Sequence, residues 1–160
     1  CRFVAALPAN LYGPGDHVDV ESSHVVAALI RKFHDCRQRR PPRVELWGSG
    51  TPRREFLFVD DLADACLFLL AHYDEPEPIN VGVGQDVTIR ELAETIREVV
   101  APEATIDFDR SKPDGPPQKL LDTTRLESLG WRASTPLSEG LVQTYQWFLD
   151  HVAREPVAGK

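Results

Sequence analysis

From Trp47 to Asp61 the chain passes from a glycine-rich loop (Trp47-Gly48-Ser49-Gly50) through paired arginines and an apolar strand into an acidic helix start. A strand that feeds directly into a helix is the unit of alternating α/β architecture. Two guanidiniums beside an aromatic ring also suit a planar, phosphorylated ligand, because arginine grips phosphate through a rigid fork and stacks on ring faces. Taken alone, the run fits equally well a hairpin with two solvated arginines.

The pattern repeats along the chain. Residues 2–7 read as a buried strand that ends at Pro8, and 9–16 as a turn. Ser22 or Ser23 can cap a helix running to about Arg39, with Pro41-Pro42 beyond it. Val44–Trp47 and Glu55–Val59 read as strands. Asp60 or Asp61 opens a second helix whose apolar positions are Leu62, Ala65, Cys66, Leu69 and Leu70. Pro78–Gly82 reads as a buried strand. Thr88 and Glu91 have the spacing of a capping box before a helix with Ile89, Leu92, Ile96, Val99 and Val100 on its apolar face. Thr105–Phe108 alternates like an edge strand, and a short helix runs from Thr123 to Gly130. The last helix has Thr135 as cap and Pro136 at its first position. Residues 155–160 read as a frayed tail. The fold class is α/β. Gly82-Val83-Gly84 follows a strand but lacks the third glycine of a dinucleotide-binding loop, so it reads as a tight turn.

At 160 residues, 42% apolar and 27% charged, the chain is one domain or a large piece of one. No apolar run is long enough to span a bilayer, and no signal-peptide pattern occurs. The three cysteines form no CxxC pair, which argues for a reducing cytoplasm and against a disulfide framework or zinc site. The five histidines fit no metal-ligand spacing. The net charge of −7 is uneven. Between His24 and Arg54, eight basic residues face two acidic ones, a local +6 that leaves −13 for the rest. A basic patch on an acidic chain points to a small anionic ligand rather than a nucleic acid. Arg37, Arg39 and Arg40 also read as simple complements of a helix end.

Several motifs converge on one family. Pro8-Ala9-Asn10-Leu11-Tyr12-Gly13-Pro14, Arg54–Asp61 and Ile79-Asn80-Val81-Gly82 resemble the C-terminal portion of extended short-chain dehydrogenases acting on nucleotide sugars. Ser22–His34, Ser111–Asp122 and Thr144–Leu149 narrow the resemblance to the GDP-L-fucose synthase family of 3,5-epimerase/4-reductases. The resemblance implies the last Rossmann strands plus a small α/β substrate-binding domain. The N-terminal NADP-binding half is then expected upstream of residues 1–160, in keeping with a chain that opens on a strand and holds no methionine.

The resemblance further implies NADP(H) as cofactor, a GDP-sugar as substrate, a cytoplasmic enzyme and a homodimer at full length. His24 matches the family's catalytic histidine, and histidine suits an acid role because its ordinary pKa lies near neutrality. Without the resemblance, His24 reads as a surface histidine in a first helical turn. Pro8, Ala9, Asn10 and Leu11, with His24, match the turn bordering the nicotinamide. Lys32, Trp47, Arg54, Asp114 and Lys119 match substrate-binding positions: Lys32 and Arg54 near the diphosphate, Trp47 against an apolar part, and Asp114 and Lys119 on a late loop closing over the nucleotide. The family often has arginine where Lys32 stands, and Arg53 occupies a position where it has an apolar side chain. No Tyr-x-x-x-Lys pair occurs, since Tyr12, Tyr73 and Tyr145 are followed four residues on by Asp16, Glu77 and Leu149. Cys1, Cys36 and Cys66 match no motif of the family's cysteine base. Activity of these residues alone is therefore not expected. The alternatives are another nucleotide-sugar epimerase, dehydratase or reductase, or a non-catalytic binding relative.

Overall fold

The computed structural model describes residues 3–19 and 23–153. The expected tail at 155–160 and the candidate cap Ser22 lie outside them. Strands β1 (Ala6–Pro8) and β6 (Ile79–Val81) pair in parallel, as do β2 (Asn10–Tyr12) with β5 (Phe56–Phe58) and β3 (Arg43–Trp47) with β8 (Thr105–Asp109). A small mixed sheet places β4 (Arg53–Arg54) between β7 (Val87–Thr88), antiparallel, and β9 (Gln118–Lys119), parallel. Helices α1 (Val25–Cys36), α2 (Val59–His72), α3 (Ile89–Val100), α4 (Thr124–Ser128) and α5 (Leu137–His151) complete the fold. Parallel pairs joined through helices are the α/β arrangement expected from the alternation.

Two cores divide the molecule. One gathers Val26, Leu29, Ile30 and Phe33 of α1, Leu92 and Ile96 of α3, and Leu141 and Phe148 of α5 around Tyr12, Phe56 and Phe58. The other lies between α2 and β1–β6, through Ala65, Leu69, Ile79 and Val81, and reaches Leu126 and Trp131.

Several boundaries differ from the sequence reading. The stretch expected as turn contains β2, because Asn10–Tyr12 finds a parallel partner in β5, far away in sequence. The expected strand 55–59 is shorter: Glu55 falls at the junction where pairing changes from β7 and β9 to β2, and Val59 already belongs to α2. Helix α1 ends at Cys36 rather than Arg39, and its N-cap is His24, not a serine. The last helix takes Pro136 as N-cap, while the Thr135 N–H donates to Asp61 Oδ2 at 3.1 Å. Proline is tolerated there because it has no N–H to satisfy. Thr88 caps α3 as the spacing implies, with the reciprocal Glu91 bond in place. Among the described residues no helix is long and apolar enough to cross a membrane.

Candidate functional site

Most of the expected site residues line cavities, and these are several rather than one. At the end of β1, Pro8, Ala9 and Asn10 share a cavity of about 340 Å³ with Glu55, Lys119, Leu120 and Leu121. The Pro8–Asn10 segment and Lys119 therefore meet. Leu11 and His24 line the next cavity, about 230 Å³, with Tyr12, Gly13, Pro14, Gly15, Asp16 and Val59. His24 reaches it from the start of α1, with its Nδ1 3.1 Å from Asp16 Oδ1. The imidazole is 78% exposed and the carboxylate only 16%. Asp16 is held in place by its turn: its N–H donates to Gly13 O, and its Oδ1 also accepts the His17 N–H at 2.8 Å. Gly15 takes φ +86°, a left-handed conformation that glycine supplies without strain.

Arg54 opens on a third cavity, about 250 Å³, lined by Phe56, Val83, Gln85, Val87 and the Thr135–Leu137 entry to α5. Gly115 packs so close to its guanidinium that a side chain there would press on Nη2. The late loop and Arg54 are thus neighbours. Lys32 lies apart, in a groove of about 270 Å³ between α1 and β3 with Arg31, Asp35, Arg39, Arg43 and Glu45. Its ammonium donates to Glu45 O at 3.4 Å. Arg31 is paired with Asp35, and Arg43 with Asp107. Trp47 is 69% exposed, with the Lys112 ammonium 5.6 Å from its ring centre.

Asp114, expected to contact substrate, is engaged within the protein. Its Oδ1 accepts the Ser49 N–H at 2.9 Å and its Oδ2 the Ser49 hydroxyl at 2.7 Å. These bonds, the hydroxyl's foremost, hold its pKa below the ordinary carboxylate value. Asp114 latches the late loop onto the glycine loop beside Trp47.

Two residues that bear on the site carry little or no sequence signal of their own. Glu55 is 1% exposed. Its Oε1 accepts the N–H groups of Val83 and Gly84 at 2.6 and 2.7 Å, and its Oε2 accepts that of Leu121 at 3.0 Å. A buried carboxylate must be hydrogen-bonded, and this one is satisfied by two loops distant in sequence. Gly82 has no room for a Cβ against the Glu55 carboxylate, which accounts for glycine at that position. The Glu55 carbonyl also accepts from Asn10 Nδ2 at 2.8 Å. Asp16 is the second. The only hint was its place at the end of a glycine-proline turn, eight residues before His24.

A family model described as the NAD dependent epimerase/dehydratase family matches residues 1–82, and the chain belongs to that family. Among named relatives, GDP-L-fucose synthase 1 of Arabidopsis thaliana is 52% identical over 149 residues, 93% of this chain and 46% of that protein. GDP-L-fucose synthase of Escherichia coli (strain K12) is 50% identical over 161 aligned residues, 95% of this chain and 50% of that protein. The crystal structure of a GDP-L-fucose synthetase from Naegleria fowleri bound to NADP superposes with a TM-score of 0.88 at 31% identity, covering 95% of this chain and 48% of that one. The chain spans about half the length of the curated relatives it matches.

Proposed function

We propose that this chain is the C-terminal, substrate-binding portion of an NADPH-dependent 3,5-epimerase/4-reductase that makes GDP-L-fucose from GDP-4-keto-6-deoxy-D-mannose. In this reading the whole enzyme is a cytoplasmic homodimer. What carries the assignment is the identity near 50% to GDP-L-fucose synthases over more than nine-tenths of the chain. Asn10 and His24 each line a cavity, which supports it.

The lining around Pro8, Ala9 and Asn10 fits the nicotinamide end of NADP(H). Pro8, Ala9, Leu120 and Leu121 supply apolar walls, and Asn10 and Lys119 supply polar groups, as a neutral amide-bearing ring requires. These residues, Leu11 and His24 would hold that end of the cofactor, which supplies the hydride for the ketone at carbon 4. Its phosphates need a glycine-rich loop before a helix, and no such loop occurs in these 160 residues.

The chain's own residues then divide the remaining work. His24, exposed to its cavity, holds a proton for a sugar carbon beside the ketone. Arg54 and Lys32 offer positive charge to the diphosphate, Arg54 with the more specific fork geometry. Trp47 presents an exposed face to an apolar part of the ligand. Lys119 adds charge from the late loop, and Asp114 sets that loop against the glycine loop before it contacts the nucleotide. The reductase step needs a tyrosine–lysine pair that these residues do not hold, so this chain alone binds without turning over. Calorimetric titration with GDP-β-L-fucose or GDP, beside Arg54→Ala, tests the proposal. Binding weakened at least tenfold in the variant is the expected result. No binding by folded protein, or no effect of the variant, counts against the substrate assignment.

A further inference from the structure

We infer that Asp16 is a positioning residue for His24, fixing its imidazole with the proton on Nδ1 and the Nε2 edge free. The inference rests on the catalytic reading of His24 proposed above and adds a residue to it.

The argument starts from what a carboxylate can do. An ionised carboxylate only accepts hydrogen bonds, so the 3.1 Å contact from His24 Nδ1 to Asp16 Oδ1 places the hydrogen on Nδ1. A free imidazole carries it on either nitrogen, and which one is protonated is set by the bond the other makes. Asp16 is suited to this task because it does not move freely. Its side chain is largely enclosed, its turn is closed by its own N–H to Gly13 O, and its Oδ1 is shared with the His17 N–H. Its second oxygen, Oδ2, is buried and has no partner among the described residues. Such a group costs stability and persists where something else is gained. Here the gain is a carboxylate in direct contact with an exposed histidine, both lining a cavity of about 230 Å³.

The consequence for proton delivery follows. When His24 is protonated, its Nδ1–H stays on Asp16, and the Nε2–H is the one presented to the cavity. That proton passes to the carbon of a substrate enolate while the enolate oxygen reverts to the ketone. The imidazolium becomes neutral imidazole with its Nδ1–H still on Asp16. A base on the opposite face of the sugar ring removes the proton that formed the enolate. Asp16 keeps its charge throughout, as an orienting carboxylate beside a catalytic histidine does.

The test is nitrogen-15 NMR of the histidines in this chain at a pH where His24 is neutral. In the native protein His24 is expected mainly as the Nδ1–H tautomer. Asp16→Leu, close in size but without an acceptor, is expected to return it to the Nε2–H form that predominates in free histidine. Asp16→Asn keeps an acceptor and the turn, and is expected to retain Nδ1–H; it serves as the folded control should the leucine variant fail. A native His24 mainly in the Nε2–H form overturns the inference, as does an unchanged tautomer in a folded Asp16→Leu. The reading of His24 itself is tested separately. If His24→Ala leaves solvent-deuterium incorporation into substrate unchanged in an enzyme of the relatives' full length, the catalytic role fails whatever the tautomer result.

Discussion

Helix α2 is more apolar along its length than α3, yet α3 is the finished one and α2 is not. In α3 the apolar residues Leu92, Ala93, Ile96 and Val100 are buried, while Arg90, Glu94 and Glu98 face out. In α2, Ala65 and Leu69 are buried against β1–β6, but Ala63, Cys66, Leu67, Leu70 and Ala71 are exposed. Those five recur at the spacing of a core-facing stripe. Leu67 and Leu70 are 69% and 73% exposed. The β1–β6 pair beside them is parallel, and Leu7 and Phe3 lie open to solvent near it. Parallel strands are ordinarily covered on both faces. The lesson is that the α1–α3–α5 side is a self-sufficient core and the α2 side is a layer prepared on both of its faces.

The largest expected effect falls on the finished side. Leu92 is fully buried at the centre of that core. Leu92→Ala is expected to lower stability by about 2–5 kcal/mol through lost burial and the cavity left behind. Denaturant unfolding of the two proteins measures it. A cost under about 1 kcal/mol would dissolve the contrast between the two helices.

Glu55 joins the two sides and gives an intermediate effect. Its carboxylate ties the loop after β6 to the late loop, and its carbonyl receives Asn10. Glu55→Gln keeps the size but replaces one acceptor oxygen by a donor that faces N–H groups. A cost of about 1–3 kcal/mol is expected from the buried donors left unpaired. Amide hydrogen exchange at Val83, Gly84 and Leu121 should accelerate together. Acceleration at Leu121 alone would mean that the two loops are not coupled through this side chain.

What the sequence disclosed and what it concealed divide along the range of the interactions. The Thr88–Glu91 box is local and was readable from spacing. The apolar runs of β3, β5 and β6 were readable too, because each carries its own hydrophobic pattern. Strands β7 and β9, two residues each, exist only because β4 lies between them, and no local pattern announces that. Asn10–Tyr12 looks like a turn until β5 pairs with it. The site shows the same division. Pro8, Ala9 and Asn10 were recognisable by family resemblance, and their meeting with Lys119 is a matter of tertiary structure. Glu55 and Asp16 stayed hidden because a carboxylate's role depends on which donors the fold brings to it. The resemblance marks Asp114 as a ligand contact, and its bonds to Ser49 are a second engagement that only the folded chain displays. On α2, the expected apolar positions included Cys66 and Leu70, which point outward. A helix apolar all round does not reveal which face is covered.

That ambiguity makes the smallest expected effect the sharpest test of the comparison. Leu67→Ser with Leu70→Ser removes exposed apolar area without opening a cavity, because neither side chain is enclosed in this structure. Each change is expected to alter stability by no more than about 0.5 kcal/mol, the usual range for exposed positions. Solution behaviour should respond more than stability does. Apolar patches on a solvated surface promote association, so the double variant should show less concentration-dependent sedimentation and less binding of a hydrophobic dye. In a protein of the relatives' full length, the same pair should become costly if that additional chain covers the stripe. An equally small cost in both lengths would mean that α2 keeps an open apolar face in the whole protein. A cost above about 2 kcal/mol in this chain alone would mean that the stripe is already packed, and the two helices would no longer differ.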